Sequence, residues 1–205
     1  MIAVIDYGAG NIQSVVKALR FIGCEPVLTS DPDVLDRADA AVLPGVGSFG
    51  DAMQQLHARG LVEPIRRFAA SGKPFLGICL GLQLLFESSE ESPGVEGLGI
   101  LNGKILRIPD APGLKIPHMG WNSLTLRERE GIFRSCSNAP YGYFVHSYYL
   151  QAQDESIVSA TAEYGVTIHA AVHSGNIFAA QFHPEKSGEA GLCMLRDFAG
   201  CVKEG

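Results

Sequence analysis

The sequence predicts an α/β fold: a mostly parallel central sheet with helices on both faces and added antiparallel strands in the second half. Two observations predict it. Strand-like and helix-like segments alternate four times in the first 90 residues, the pattern of a parallel sheet with right-handed crossovers. From "GILNGKILRI" onward the chain changes to β-branched and aromatic runs joined by turns, which suits antiparallel pairing. The 205 residues are within the range of one compact unit spanning 1–205.

The elements follow in order. "MIAVIDY" (1–7) is a continuous apolar run, as expected of a strand buried on both faces. "IQSVVKALRFIG" carries Val15, Val16, Leu19 and Ile22 at helical spacing and stops at Gly23. "EPVLTS" is a short second strand, and "DPDVLDRA" opens with an Asp cap and a proline at the first helical position. "ADAAVLPG" is a third buried strand, followed by helical patterns in "FGDAMQQLHA" and "VEPIRRFAA". "PFLGIC" is the fourth strand and "LGLQLLFESS" its helix. In the second half "GILNGKILRI", "GYFVHSYYL", "SIVSATAEY", "TIHAAVHSG" and "NIFAAQFH" read as strands, and Gly175-Asn176 signals a hairpin between the last two. "AGLCMLRDFAGCV" is a closing amphipathic helix. Repeats, low-complexity tracts and linkers are absent from the sequence.

Composition excludes several function classes. Apolar residues make up 46% and charged residues 19%, with a formal net charge of −6, which fits neither disorder nor an acidic tail. No basic cluster exceeds Arg66-Arg67, so nucleic acid is not an expected partner. No apolar run reaches membrane-spanning length. The start, "MIAVIDYGAGN", lacks the basic region of a signal peptide and reads as a core strand. The five cysteines, Cys24, Cys79, Cys136, Cys193 and Cys201, are odd in number and never spaced C-x-x-C. They read as reduced thiols in the cytoplasm, without a disulfide framework or zinc knuckle.

One cysteine stands apart. Gly77-Ile-Cys79-Leu-Gly81 has the nucleophile-elbow pattern with cysteine in place of serine. Such a thiol sits on a strained strand-to-helix turn, beside backbone N–H groups that favour thiolate and can hold an oxyanion. On spacing alone a small packed residue fits equally well. "QFHPE" breaks the tie, because His183 and Glu185 at a strand end supply a base and the acid that orients it. A zinc deaminase also uses H-x-E, but it needs a downstream P-C-x-x-C that this chain lacks, so no metal is expected. "PGVGSFGD" ends the third strand with Gly45, Gly47 and Gly50, a loop whose bare N–H groups suit an oxyanion. "DYGAGN" places Gly8 and Gly10 after a strand, yet Gln13 stands where a dinucleotide fingerprint needs its third glycine.

"PGVGSF", "GICLGLQLLFE" and "QFHPEKS", in this order, resemble the oxyanion loop, nucleophile elbow and His/Glu turn of the class I (triad) glutamine amidotransferases. Within that family, "DYGAGN", "IPHMGWN" (116–122), "YFVHSYY" (143–149) and "FHPEKSG" resemble the glutaminase subunits that serve histidine biosynthesis. The resemblance covers essentially the whole chain and implies a flavodoxin-like fold. It implies a Cys79–His183–Glu185 triad that hydrolyses L-glutamine to L-glutamate and ammonia without a cofactor. It further implies that the backbone of Gly47 and Leu80 lies near the oxyanion, and that Gln83, Glu91, Ser147 and Tyr148 surround the bound glutamine. Glu91 pairs with the substrate ammonium in this reading; a solvated charge in "ESSEES" is the alternative. The implied partner is a HisF-like (β/α)8-barrel cyclase subunit, in a heterodimer, which takes ammonia through an internal tunnel and makes imidazole glycerol phosphate and AICAR. Asn11, Trp121, Tyr143 and Lys186 match the partner-facing positions. For Trp121, the sole tryptophan, a core position is the competing reading. Cys24, Cys136, Cys193 and Cys201 have no functional counterpart and read as packing residues. Two other functions compete. A glutaminase of another pathway, such as anthranilate or pyridoxal phosphate synthesis, is disfavoured by "PHMGWN". A catalytically silent binding or regulatory subunit is disfavoured by the intact triad.

Overall fold

The computed structural model describes residues 1–8 and 11–202. Strand and helix alternate through β1 (Ile2–Ile5), α1 (Ile12–Phe21), β2 (Pro26–Thr29), α2 (Pro32–Arg37), β3 (Ala40–Gly45), α3 (Phe49–Ala58), α4 (Val62–Ala70), β4 (Phe75–Cys79) and α5 (Leu80–Leu84). Every residue of β1, β3 and β4 is buried, as the unbroken apolar runs require of strands covered on both faces. The second half holds β5 (Ser88–Ser89), β6 (Gly103–Arg107), β7 (His118–Ser123), β8 (Thr125–Leu126), β9 (Tyr141–His146), β10 (Tyr148–Ala152), β11 (Val158–Glu163), β12 (Thr167–Ser174), β13 (Ile177–Ala180) and α6 (Gly188–Cys201).

The main sheet runs β2-β1-β3-β4-β13-β12-β11-β8. Its first five strands are parallel, since β13 returns to lie parallel beside β4. β12, β11 and β8 extend it antiparallel. A three-stranded sheet, β10-β6-β5, and a two-stranded ribbon, β7-β9, stand beside it. α1 and α6 cover one face with Val15, Leu19, Leu195 and Phe198. α2, α3 and α4 cover the other with Leu35, Met53, Leu56, Ile65 and Phe68. Fully burying one such Leu or Phe side chain is worth roughly 1.5–3 kcal/mol. The hairpin forms where Gly175-Asn176 predicts it: Ser174 pairs with Ile177, and Gly175 takes φ 59°. Among the described residues, no helix is long and apolar enough to cross a membrane.

Two expectations change. The helix expected through "LGLQLLFESS" stops after Leu84. The carbonyls that would continue it are taken by a returning loop, Leu98 N–H donating to the Leu84 oxygen at 2.8 Å and Leu101 N–H to the Leu85 oxygen at 3.0 Å. "GYFVHSYYL" is two strands, β9 pairing with β7 and β10 with β6, and the chain changes sheet at Ser147. β7 itself has no apolar run to announce it.

Candidate active site

The sheet topology brings the carboxyl ends of β3, β4 and β13 together, and the candidate groups come from those ends. Cys79, the last residue of β4, has φ 55° and ψ −109°. Among the described residues it is the one non-glycine with positive φ. Such a conformation costs of order 1–3 kcal/mol and persists only where surrounding structure enforces it. The flanking glycines explain how. A Cβ on Gly81 would lie 1.9 Å from the Leu43 oxygen, and one on Gly77 would lie 2.9 Å from the Gly81 oxygen. Both side chains are absent so that α5 can start directly against β3. α5 has only five residues, so its contribution to the thiolate is the unpaired N–H groups of one turn rather than a long dipole.

His183 follows β13, its backbone N–H donating to the Tyr143 oxygen at 2.9 Å. Its Nδ1 lies 2.8 Å from Glu185 Oε1, with the two side chains 2% and 1% exposed. A carboxylate only accepts, so Nδ1 carries the hydrogen and Nε2 is turned away from Glu185. Nε2 is buried without a hydrogen-bond partner of ordinary geometry. Burial pulls the His183 pKa down, but interactions with Cys79 and Glu185 outweigh it and push it up to about 9. The Tyr7 phenol, buried and unpartnered at the end of β1, is held above its usual pKa by burial and by the charge on Cys79.

One cleft of about 360 Å³ is lined by Cys79, His183, Gly47, Leu80, Gln83, Glu91, Ser147 and Tyr148, together with Val46, Pro117, Val145 and His146. That volume is at the small end of ligand sites. Gly45 pairs with Cys79 in the β3–β4 register, which sets the glycine loop beside the elbow. Gly47 has φ 102°, open to glycine and strained for any L side chain. Glu91 is not a solvated charge. Its Oε2 accepts the Phe49 N–H at 2.8 Å, and Ser92 Oγ accepts the Gly50 N–H at 3.0 Å, so residues 91–92 cap α3 next to Gly47.

With this geometry in hand, the comparisons decide the family. The description "Glutamine amidotransferase class-I" matches residues 3–200. Imidazole glycerol phosphate synthase subunit HisH of Methanothermobacter thermautotrophicus is 52% identical over 203 residues, covering 99% of this chain and 100% of its own. The chain belongs to the HisH family of class-I glutamine amidotransferases. A second HisH subunit, from Thermosynechococcus vestitus, is 52% identical over 206 residues, covering 99% of this chain and 98% of its own. A solved glutamine amidotransferase superposes with a TM-score of 0.78 at 20% identity, covering 99% of this chain and all 100% of that one, a likeness of fold.

The HisH-family chain brings the expected partner-facing residues near one another. Trp121 on β7 is 56% exposed, which rules out the core reading. Its ring meets Tyr143 of β9 edge-on at 5.9 Å, and Lys186 Nζ lies 5.8 Å from the Tyr143 ring centre. Asn11, at the start of α1, accepts from Ser14 Oγ at 2.8 Å, and α1 packs against the 184–186 turn that carries Lys186. Of the incomplete dinucleotide pattern, Gly10 lies outside the described residues. Cys136 is buried, and burial followed by Cys193 pushes its thiol up to about 12, as suits an unreactive packing residue.

Sequence reasoning missed the polar groups behind the cleft. His146 Nδ1 lies 2.8 Å from the Tyr148 carbonyl, and its Nε2 lies 3.0 Å from His118 Nδ1. His118 Nε2 in turn lies 3.3 Å from Asn122 Nδ2, which also donates to the Glu163 carbonyl at 3.0 Å. Carbonyls only accept, so both ends demand the same arrangement: each imidazole neutral, with its hydrogen on Nδ1. A proton added to either Nε2 would face another donor. Burial agrees, holding His118 down at about 4 and His146 at about 3.

The pH consequence has a definite sign. Below the ordinary histidine pKa of 6.5 the unfolded chain takes up protons that the folded rings refuse until about 4 and about 3, so stability falls with falling pH. The thermal midpoint is expected to drop steadily from pH 6.5 to 4, and less steeply in His118→Gln. Equal slopes in both proteins would remove the pair from the acid response.

Proposed function

We propose that this chain is the glutaminase subunit of a cytoplasmic imidazole glycerol phosphate synthase, hydrolysing L-glutamine through Cys79, His183 and Glu185. The observation that carries the proposal is the strained Cys79 elbow facing the His183–Glu185 pair across one small cleft. The Cys79 thiolate attacks the carboxamide carbon, and the oxygen that becomes negative is held by the backbone N–H groups of Gly47 and Leu80. The His183 imidazolium protonates the departing nitrogen, and the C–N bond breaks with its electron pair going to nitrogen, which leaves as ammonia. The resulting glutamyl thioester is attacked by water whose proton passes to His183, and glutamate leaves as the thiolate re-forms. Glu91, Gln83, Ser147 and Tyr148 bind the amino-acid end of glutamine. Glu185 never touches substrate; it holds the ring and stabilises its charged form.

The face that carries exposed Trp121 and Lys186 with half-buried Tyr143 and Asn11 docks the partner, a (β/α)8-barrel cyclase in a heterodimer that consumes the ammonia. An amphipathic aromatic pair suits an interface core, and a lysine beside it suits the polar rim. The experiment is to purify the chain with its cyclase and follow formation of imidazole glycerol phosphate from glutamine. Stable association and glutamine-dependent synthesis are expected. Association without glutamine hydrolysis would identify a silent regulatory subunit, and failure to associate would direct the chain to another synthase.

A further inference from the structure

We infer that Gln181 is a catalytic residue: its side-chain amide donates to the Cys79 sulfur and holds the thiolate, in an orientation imposed by Gln83. The inference rests on Cys79 being the nucleophile. Gln181 follows β13 and is fully buried, two residues before His183. Its Nε2 lies 3.8 Å from Cys79 Sγ, within reach of the longer hydrogen bond that sulfur makes.

The direction of that bond is fixed by a group some distance away. The Tyr148 backbone carbonyl can only accept. Gln83 therefore turns its nitrogen toward it, at 3.0 Å. The same nitrogen gives its second hydrogen to Gln181 Oε1, also at 3.0 Å. With its oxygen committed to Gln83, Gln181 must present its NH2 to the sulfur. A reversed Gln181 would set nitrogen against nitrogen at one end and an amide oxygen against a thiolate at the other. Nor can the carbonyl swing aside, because its second lone pair takes the His146 Nδ1 hydrogen at 2.8 Å. The His118–Asn122 chain fixes that histidine's tautomer independently. The amide is thus oriented before any substrate arrives, and Gln83 Oε1 is left for the cleft.

A thiolate at this site needs such a donor. Cys79 is only 6% exposed, so water contributes little to its charge, and α5 is too short for a substantial dipole. A preset N–H on sulfur favours thiolate over thiol and stabilises the leaving thiolate when the thioester breaks.

The test is the rate at which iodoacetamide alkylates Cys79 in the full-length chain from pH 5 to 10, read at the Cys79 peptide by mass. Wild type is compared with Gln181→Met, which keeps the volume but has no N–H, and with Gln181→Leu should the first variant fold poorly. The other titratable groups around the thiol, His183 with Glu185, Tyr7 just after β1, His146 from β9, and Glu91 and Tyr148 of the cleft wall, are the same in all proteins. The alkylation midpoint is expected to rise by about one pH unit, with alkylation at pH values below the wild-type midpoint slowed about tenfold by the lower thiolate fraction. In the complex kcat should fall about 10- to 100-fold while KM for glutamine stays near wild type, because Gln181 touches sulfur and not substrate. An unchanged midpoint in a folded variant overturns the inference. Failure of the underlying reading looks different: glutaminase activity would then survive complete alkylation of Cys79 in the wild-type protein.

Discussion

Cys79→Ala is expected to abolish glutamine-dependent synthesis while leaving synthesis from ammonium salts intact in the complex. The loss should be on the order of 10⁶ in kcat, the scale seen when a hydrolase loses its nucleophile. Alanine keeps the Cβ, so the strained turn at φ 55° is no better or worse accommodated than in wild type. Removing Sγ releases the Gln181 amide but opens a gap of only one atom. The fold and the partner face should therefore survive, and the cyclase, which does its own chemistry on ammonia, should not register the change. Loss of both activities would make Cys79 a structural residue; retention of both would place the nucleophile elsewhere. A glutamine-like electrophile gives a second readout. It should label Cys79 and spare Cys136, whose buried thiol is pushed up to about 12 and has almost no thiolate to offer.

The parts of this site legible in the sequence are those where local pattern and burial agree. β1, β3 and β4 appear as apolar runs because both faces of each are covered. The elbow appears through its glycines because each stands where another backbone segment leaves no room for a Cβ. His183 and Glu185 are two residues apart and meet at 2.8 Å, so their pairing needs no long-range information.

What the sequence hides follows from the reverse conditions. β7 buries the polar His118 and exposes Met119 and Trp121, the opposite of the alternation that marks a half-buried strand. That inversion makes physical sense if the apolar side of the ribbon is kept for another protein. The Gln83–Gln181 and Gln181–Cys79 bonds join residues 98 and 102 positions apart. Nothing local to a glutamine says that its amide will be buried and fully committed; only the folded sheet brings the ends of β4 and β13 together. Glu91 is a similar case. In "ESSEES" it looks like any solvated acid, and its place at the start of α3 depends on the loop that ends α5 early.

Glu185→Gln is expected to lower kcat by roughly 10²–10⁴, the upper value being that of a serine triad whose acid becomes its amide. The smaller end is reached if the thiolate is held by donors of its own, because the base then has less to do. The amide oxygen can still accept from His183 Nδ1, so the ring stays in place. The new NH2 takes the position of Glu185 Oε2, a buried atom that has no partner in wild type either, and the fold should tolerate the exchange. What is lost is the negative charge. In wild type that charge and Cys79 lift His183 to about 9 against the downward pull of burial, so the imidazolium that protonates the leaving ammonia persists through neutral pH. Without it burial gains ground, the folded pKa falls, and the ring loses its proton earlier as pH rises. The alkaline limb of kcat should therefore move to lower pH, with KM for glutamine little changed because Glu185 does not line the cleft. A pH–rate profile distinguishes this from simple damage to the fold, which would lower the curve without moving its limb. Wild-type kinetics at every pH would take Glu185 out of the mechanism and leave His183 oriented by its burial alone.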